Sequence, residues 1–318
     1  GPWVDKLRKI DKSLQGKHLF LSKGAHIVVP HERLPIQQAV YFDVPDGRMM
    51  FAIPRNRVTY LGTTDTPYKG DINDVIASKE DAKYILDGTN VMFPDANLTL
   101  ADVESSWAGL RPLINEEGKS ASEMSRKDEI FESETGLISI AGGKLTGYRK
   151  MAERIVDLVS EKFEDDHEKE FGDCFTDKIP LGGGLFGSEA EVFEYQKVVL
   201  EDVRKMGLED SFATYLVRNY GRQVDTILAS AKSSNESAKT AIAKAELKHC
   251  IDKELVFTAM DFFNRRTGRL YFNIITIQPV LEEILKEMQA IFDWTDARVV
   301  KERASVLTAI NKCSNLLG

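Results

Sequence analysis

Cysteine is scarce in this chain, and the few cysteines present lie far apart. The 318 residues include three of them, Cys174, Cys250 and Cys313. An odd number without close spacing argues against a disulfide framework, and no group of Cys and His has the spacing of a metal site. The sequence therefore predicts no metal centre and a reducing compartment, which we take to be the cytoplasm.

The chain also has fewer basic than acidic residues, and it has no long apolar run. Lys and Arg together number 42 against 50 Asp and Glu, which gives a net charge of −8 and a pI of about 5.4. An acidic chain is a poor match for nucleic acid, so any phosphate site must be built from a few local arginines. No apolar run reaches the roughly 18 residues of a membrane-spanning helix. Peripheral contact with the inner face of a membrane stays open, as does assembly into a homo-oligomer.

The stretch Gly136–Lys150 contains a strand, a glycine turn and the start of a helix. Glycines let the backbone approach a ligand closely, and the unpaired N–H groups of a helix N-terminus attract anions and polar groups. An ordinary strand-to-helix connection has the same local pattern, so these residues alone leave both interpretations open. The candidate ligand contacts are Gly142, Gly143, Lys144, Leu145 and Thr146.

The first half of the chain has the pattern of an antiparallel meander. Apolar stretches at Ala39–Val44 and Met49–Ile53 flank the turn Pro45–Gly47, in which Pro fixes φ and Gly takes the positive φ. A turn at 54–57 leads to a third strand at Val58–Leu61. The remaining elements predicted here are a short helix and loop over Trp3–Gln15, a helix over Ser78–Asp87 with Ser78 as its N-cap, a helix over Met151–Val159, and strands over Val103–Arg111 and Leu137–Ala141.

The second half changes to helical periodicity. The charged stretch Glu161–Asp173 marks the change, so we divide the chain into residues 1–172 and 173–318. The first half then predicts a sheet domain and the second an all-α domain, which makes the fold class α+β. The predicted helices are Ser188–Met206, Ser211–Tyr220, Val224–Lys232, Ser237–Cys250, Glu254–Arg266, Pro279–Phe292 and Asp296–Lys312.

Gly182, Gly184 and Gly187 fit the G-x-G-x-x-G spacing of a dinucleotide-binding turn. That motif needs a preceding strand, and the segment before it contains Pro180, which is poorly tolerated in a central strand. We therefore interpret these glycines as a loop that leads into the helical domain.

Arg111 and His26 are the side chains whose local setting best suits catalysis or binding. Arg111 ends a predicted strand, and its guanidinium fork fits a phosphate or an oxyanion, although an ion pair is the commoner use. His26 precedes the apolar run Ile27–Val29. Histidine titrates in the range needed to accept a hydroxyl proton, although a structural role is the more usual one. Asp261 and Arg265, four residues apart, predict a structural ion pair.

Seven short stretches, spread in order over nearly the whole chain, carry a further signal. They are GPWV at Gly1–Val4, SKGAHIVVP at Ser22–Pro30, LGTTDTPYKGD at Leu61–Asp71, SWAGLRPL at Ser106–Leu113, SRKD at Ser125–Asp128, GGKLTGYRKMAE at Gly142–Glu153 and DFFNRRT at Asp261–Thr267. Together they resemble the FAD-dependent glycerol-3-phosphate dehydrogenases and oxidases, most strongly the alpha-glycerophosphate oxidase branch. Gly147 departs from the pattern, because many members of the family carry threonine there.

The resemblance implies a cofactor, a substrate and a role for each candidate residue. It implies FAD, and oxidation of sn-glycerol 3-phosphate to dihydroxyacetone phosphate by hydride transfer, with O₂ as acceptor and hydrogen peroxide as product. It implies that Arg111 and Arg126 hold the phosphate and that His26 acts at the reacting hydroxyl, so that Arg111 and His26 are the residues expected in catalysis. It places Thr64 and Asp65 in or beside the substrate site. The turn residues 142–146 are implied to contact the flavin.

The Gly-rich βαβ unit with which the family binds the adenosine diphosphate half of FAD has no counterpart in this sequence. We therefore expect the first half to be a substrate-binding sheet with a remnant of the FAD domain, and the chain by itself to be colourless and inactive. The alternatives are a quinone-linked glycerol-3-phosphate dehydrogenase, a related FAD amine or amino-acid oxidase, and a helical interaction module without catalysis.

Overall fold

The computed structural model describes residues 1–115, 127–167 and 170–316. The chain forms two compact units, each discontinuous in sequence. Unit 1 comprises Gly1–Ala25, Thr63–Ile76 and Ala108–Ile179, and unit 2 comprises His26–Gly62, Ala77–Trp107 and Pro180–Gly318. The division into residues 1–172 and 173–318 concerns sequence-defined domains, and it stays a prediction.

Unit 2 contains the antiparallel meander that the turn residues predict. Strands β2 (Val40–Asp43), β3 (Met49–Arg55) and β4 (Val58–Gly62) pair in sequence order, and β4 pairs with the second part of β1 (Leu19–Pro30) in the register His26↔Gly62. The turn after β3 is shorter than predicted, because Pro54 and Arg55 continue the strand and Asn56 turns the chain with a φ of 54°.

Helix α2 (Lys79–Met92) packs on this sheet and begins where the sequence predicts. The Ser78 side chain accepts a hydrogen bond from the Asp81 N–H, and the Asp81 carboxylate accepts one from the Ser78 N–H. This reciprocal pair satisfies two N–H groups that the first helical turn leaves unpaired. The helix buries Ala82, Ile85 and Leu86.

The rest of unit 2 is helical, as predicted from the periodicity. Its largest fully buried side chains include Phe262, Phe263 and Ile242. Glu246 is fully buried, and its carboxylate accepts hydrogen bonds from Tyr215, Tyr220 and Arg269, which compensates the cost of burying the charge. The helices are α4 (Glu189–Lys205), α5 (Ser211–Tyr220), α6 (Val224–Lys232), α7 (Ala238–Glu254), a π-helical turn (Asp261–Arg266), α8 (Arg269–Phe272), α9 (Gln278–Phe292) and α10 (Asp296–Ser314).

The predicted helix Glu254–Arg266 is wrong in its first part. Helix α7 ends at Glu254, because Leu255 takes the left-handed conformation with a φ of 57°. The next helical segment begins after Thr258, whose hydroxyl accepts a hydrogen bond from the Asp261 N–H, while Asp261 accepts one from the Thr258 N–H. The predicted Asp261–Arg265 ion pair is present at 2.8 Å.

Unit 1 carries elements that local patterns predict only in part. Helix α1 (Val4–Ile10) is followed by the first part of β1, where Ser22 and Lys23 pair with β5 (Thr66–Pro67). Strand β6 (Ser105–Ile114) also pairs with β1, and its residues from Ala108 onward belong to unit 1.

A two-stranded sheet and a long helix complete unit 1. β7 (Asp128–Glu132) and β8 (Ile138–Gly142) are antiparallel, and α3 (Tyr148–His167) follows β8. Val4, Ile114 and Ala141 form a small buried cluster here. Across the described residues of both units, no helix is long and apolar enough to cross a membrane.

Candidate active site

Arg111 projects from β6 into a network of acceptors that belong to unit 1. Its Nη1 donates to the Thr64 carbonyl oxygen at 3.2 Å and lies 3.5 Å from Asp65 Oδ1, while Nη2 donates to Thr63 Oγ1 at 3.1 Å. The Arg111 side chain remains 26% exposed. The structure thus brings together three residues that the sequence singles out, namely Arg111, Thr64 and Asp65.

The acceptors around Arg111 are themselves held in place. Thr64 is buried, its Oγ1 accepts the Ala25 N–H at 2.9 Å, and its hydroxyl donates to the Lys23 carbonyl at 3.2 Å. Asp65 accepts a hydrogen bond from the Ser22 hydroxyl. Because these bonds tie the residues after β4 to β1, the guanidinium fork is preorganised.

The glycine turn has the strand–turn–helix geometry that its sequence predicts. Gly142 ends β8, Gly143 and Lys144 follow, and a single helical turn at Leu145–Gly147 leads into α3. Gly142 and Gly143 have φ values of 81° and 79°, which side chains rarely adopt. A Cβ on Gly142 would also collide with the Lys127 carbonyl oxygen. The backbone conformation therefore requires glycine at both positions.

Arg111 and the glycine turn line one cavity of about 820 Å³. Its walls are residues 110–113 of β6, the turn residues 142–145 and an apolar face of α3 that includes Met151 and Ile155. The volume falls within the range of about 300–1,000 Å³ that is typical of small-molecule and cofactor sites. We call it the Arg111 cavity.

A second cavity, of about 590 Å³, opens on residues of the same turn. Its lining combines Gly143 and Gly147 with four cationic side chains and the single carboxylate of Asp128. Arg154 pairs with Asp128 and Lys150 pairs with Glu153 at 2.7 Å, so much of this positive charge is compensated within the protein. The four cations are Lys127, Lys144, Lys150 and Arg154.

His26 belongs to unit 2, where it packs in an aromatic cluster. Its imidazole stacks on Trp107 with ring centroids 4.8 Å apart and an angle of 10°, and Phe51 lies 5.6 Å away. Trp107 in turn contacts Tyr271 and Phe272 at 5.0 and 5.3 Å. This packing fixes the ring plane of His26.

The aromatic cluster is a feature that sequence reasoning missed. Tyr60 and the consecutive pair Tyr271 and Phe272 lie far from His26 in sequence, and no local pattern relates them to it. Burial raises the pKa of the Tyr60 hydroxyl above its usual range. Tyr60 therefore stays neutral beside Trp107 over the physiological range.

The remaining residues that the sequence suggests as site candidates have different outcomes in the structure. Arg126 lies outside the described residues. Gly182, Gly184 and Gly187 lie in a loop ahead of α4, and no strand precedes them within the described stretch 170–181, which agrees with their interpretation as a connecting loop. In the parts of the chain that the structure describes, no three His, Cys, Asp or Glu side chains are grouped so as to hold a metal ion.

Comparison with known proteins places this chain in a family. Residues 1–161 match the model of the FAD dependent oxidoreductase family, and residues 174–299 match that of the C-terminal domain of alpha-glycerophosphate oxidase. Because the first match covers half of the chain, the chain belongs to the FAD-dependent oxidoreductase family.

Individual relatives show which enzymes the chain resembles within this family. The chain is 47% identical over 300 residues to the aerobic glycerol-3-phosphate dehydrogenase of Bacillus subtilis and 42% identical over 301 residues to that of Staphylococcus haemolyticus. These matches cover 93% and 94% of this chain but 54% of each relative. The chain thus spans about half the length of the curated relatives it matches.

A solved structure matches the fold as well as the sequence. The glycerol-3-phosphate dehydrogenase from Bacillus halodurans, complexed with FAD, superposes with a TM-score of 0.86 at 43% identity. The match covers 100% of this chain and 62% of that one. The α+β architecture inferred from the sequence is therefore confirmed.

Proposed function

We propose that this chain is the substrate-binding and C-terminal part of a flavoenzyme that oxidises sn-glycerol 3-phosphate to dihydroxyacetone phosphate. The observation that carries the proposal is the Arg111 cavity, which joins a preorganised guanidinium to the glycine turn. The names of the relatives, glycerol-3-phosphate dehydrogenases, supply the substrate class.

Arg111 is proposed to bind the substrate phosphate. A guanidinium offers paired N–H donors that match two phosphate oxygens, and its charge is retained at every physiological pH. The acceptors Thr63, Thr64 and Asp65 hold the side chain without closing it off from the cavity. Arg126 is proposed as the second phosphate ligand, on the family resemblance alone.

His26 is proposed to accept the hydroxyl proton as the alcohol is oxidised. Imidazole is the side chain most often used as a general base, and the stacking of His26 on Trp107 restricts its ring to one plane. A His26→Asn variant should lower kcat far more than it raises the KM for glycerol 3-phosphate.

The residues of the glycine turn fit a flavin. A flat ring with polar edges needs apolar walls, close backbone approach and a few donors. Met151 and Ile155 supply apolar wall. Gly142 and Gly143 have no side chain, which leaves their backbone open to close approach. A Cβ on Gly143 would lie 2.7 Å from Met151 Sδ. Leu145, 90% exposed, and Thr146 complete the turn.

When bound, FAD supplies the acceptor for the hydride that leaves C2 of the substrate. The proposed contribution of Lys144, which lines both cavities at the turn, is a fixed positive charge at the cofactor. Thr64 and Asp65 are proposed to act through Arg111, because both contact its guanidinium.

The direct test is flavin reduction under anaerobic conditions. The intact protein that carries this chain, loaded with FAD, should lose its visible flavin absorbance rapidly on addition of glycerol 3-phosphate, and far more slowly on addition of glycerol. If glycerol 3-phosphate leaves the spectrum unchanged while an amine or an amino acid bleaches it, the chain belongs to an amine oxidase instead. If no substrate bleaches it, the interaction module is the better account. The 318-residue chain alone should stay colourless after FAD is added and removed by desalting.

We infer O₂ as the electron acceptor, on the match of residues 174–299 to the domain model of alpha-glycerophosphate oxidase. The names of the relatives, which are called dehydrogenases, favour a quinone as the alternative. Hydrogen peroxide formed in equal amount to dihydroxyacetone phosphate would support O₂. Turnover that needs an added quinone, together with flotation of the protein on anionic vesicles, would support a quinone-linked enzyme at a membrane surface.

A further inference from the structure

Two glycines in the sheet have no backbone reason to be glycine. Gly24 lies within β1 and Gly62 ends β4, and neither adopts a positive φ. Glycine weakens a strand, because it has no side chain to pack and loses more conformational freedom on folding. A cause for glycine at these positions must therefore lie in the side chains around them.

At Gly24 the space of a missing side chain is taken by Arg111. A Cβ built on Gly24 would lie 2.6 Å from Nη1, 2.7 Å from Nη2 and 2.8 Å from Cζ of Arg111, all far inside normal contact distance. The guanidinium thus lies against the Gly24 backbone on one side and is held by Thr63 and Thr64 through hydrogen bonds. A methyl group here would push the guanidinium off these acceptors, since the atoms it would meet first all belong to Arg111.

At Gly62 the same space is taken by His26. These two residues are opposite each other in the β1–β4 pair. A Cβ on Gly62 would lie 2.5 Å from Cδ2 and 3.0 Å from Nε2 of His26, and 3.0 Å from Cζ of Phe51. The imidazole therefore reaches its stacked position on Trp107 by passing over a residue that has no side chain.

We propose that Gly24 and Gly62 are positioning residues, each of which leaves the space in which one candidate active-site side chain is held. Gly24 sets the place of Arg111 within unit 1, and Gly62 sets the place of His26 within unit 2. The steric claim is that Arg111 and His26 each occupy the space that a side chain at the neighbouring glycine would need, and it rests on geometry alone. The catalytic meaning of this arrangement rests on the proposed function. The two can therefore be tested separately.

The steric claim is tested on the 318-residue chain by a double-mutant cycle. Gly24→Ala should lower Tm by roughly 2–4 °C in the wild-type background and leave it unchanged in the Arg111→Ala background, because the collision then has no partner. Gly109→Ala is the matched control, since Gly109 lies on β6, has no positive φ and has no atom of the described residues within 4 Å of the place a Cβ would take. An equal loss of Tm in both backgrounds overturns the claim for Gly24.

Gly62 is tested through the His26 imidazole signals in NMR spectra. Stacking on Trp107 should shift the ring protons of His26 upfield, and Gly62→Ala should remove that shift while Gly109→Ala leaves it intact. A shift that survives Gly62→Ala overturns the claim for Gly62. Should Gly62→Ala fail to fold, Gly62→Ala combined with His26→Ala should restore folding, and continued failure overturns the claim equally.

Steady-state kinetics of the intact, FAD-loaded protein test whether the two glycines affect substrate binding and turnover. Gly24→Ala should raise the KM for glycerol 3-phosphate about tenfold with kcat little changed, while Gly62→Ala should lower kcat about tenfold with KM little changed. A merely structural role would lower the active fraction alone, which leaves KM fixed for both variants and leaves kcat unchanged when it is expressed per substrate-reducible flavin. If the cycle and the NMR shift come out as expected but both kinetic parameters keep their wild-type values, the proposed function of Arg111 and His26 fails and the steric claim stands.

Discussion

Arg111 illustrates what single residues contribute to this molecule. A strand-ending arginine can be picked out from the sequence, because few other side chains bind a phosphate in an acidic chain. Its partners Thr63, Thr64 and Asp65 follow one another and also stand out. What the sequence does not reveal is the support from Gly24, because that contact joins β1 to β6 and depends on tertiary structure.

Residue burial also predicts the chemistry of the three thiols. Cys174 is exposed, whereas Cys250 and Cys313 are buried. Burial raises the pKa of the Cys313 thiol to about 11, and burial, reinforced by the carboxylates of Glu254 and Glu246, raises the pKa of Cys250 as well. Because the thiolate is the reactive form, one thiol of the three should react with a disulfide reagent at mildly alkaline pH in the native chain.

This expectation is checked by counting titrated thiols with and without denaturant. Cys174→Ser should abolish the native reaction and leave the denatured count lower by one. Rapid reaction of a second thiol in the native chain would show that Cys250 or Cys313 is accessible, contrary to their burial.

Among the elements, the glycine turn has the most demanding backbone. Gly142→Ala should destabilise the chain by about 1–2 kcal/mol or more, because its φ of 81° is unfavourable for alanine and the new Cβ meets the Lys127 carbonyl. Gly143→Ala should cost less, because the atom it meets is in the flexible Met151 side chain. Gly147→Ala is the control, with no positive φ and no close neighbour among the described residues, and should stay within about 0.5 kcal/mol of wild type.

Chemical denaturation of the three alanine variants gives this ranking directly. The expected order of unfolding free energy is Gly147→Ala, then Gly143→Ala, then Gly142→Ala as the least stable. Equal stability of Gly142→Ala and Gly147→Ala would contradict the described turn.

The start of the π-helical turn makes a prediction about acid stability. Burial of Asp261 by itself raises its pKa, but the Thr258 side chain, the N–H groups of Phe257 and Thr258 and the Arg265 charge together outweigh burial and lower it. A carboxylate with a lowered folded pKa adds stability above its unfolded pKa of about 3.9 and loses it as pH falls through the folded value. Asp261→Asn should therefore cost about 1 kcal/mol at neutral pH and progressively less below about pH 4.

Thermal melts of wild type and Asp261→Asn across this pH range test the sign. Arg265→Ala, which removes the exposed ion pair and keeps the cap, should cost only about 0.3–0.5 kcal/mol. A difference between wild type and Asp261→Asn that grows as pH falls would be the wrong sign for this account.

Local sequence signals predict some of the strands and helices and miss others. The meander and the start of α2 follow from local signals, Pro45–Gly47 and the Ser78 cap, which act over a few residues. The first part of β1 is not apparent from its sequence, because Ser22 and Lys23 are polar and pair with β5, a strand more than 40 residues further along the chain. The break at Leu255 is likewise hidden, although the Thr258-x-x-Asp261 capping pattern could have marked the new start.

At the scale of the whole molecule, the sequence predicts the fold class and the family but not the compact units. Each unit is assembled from three separated segments, because the chain passes between the units after Ala25, Gly62, Ile76, Trp107 and Ile179, twice within a strand. Such long-range assembly leaves no local pattern. The ordered motifs predict the family without revealing how the compact units are assembled. The family itself is confirmed by the match of residues 1–161 to the FAD-dependent oxidoreductases.

We propose that Arg111 selects a phosphorylated alcohol. The deciding quantity is the kcat/KM of the intact, FAD-loaded protein for glycerol 3-phosphate and for glycerol, in wild type and in Arg111→Ala and Arg111→Lys. Arg111→Ala should lower kcat/KM for glycerol 3-phosphate by roughly 100-fold, equivalent to about 3 kcal/mol, and leave that for glycerol unchanged. Arg111→Lys should fall between the two, because it keeps the charge and loses the fork. An Arg111→Ala enzyme that keeps its kcat/KM for glycerol 3-phosphate would contradict the account.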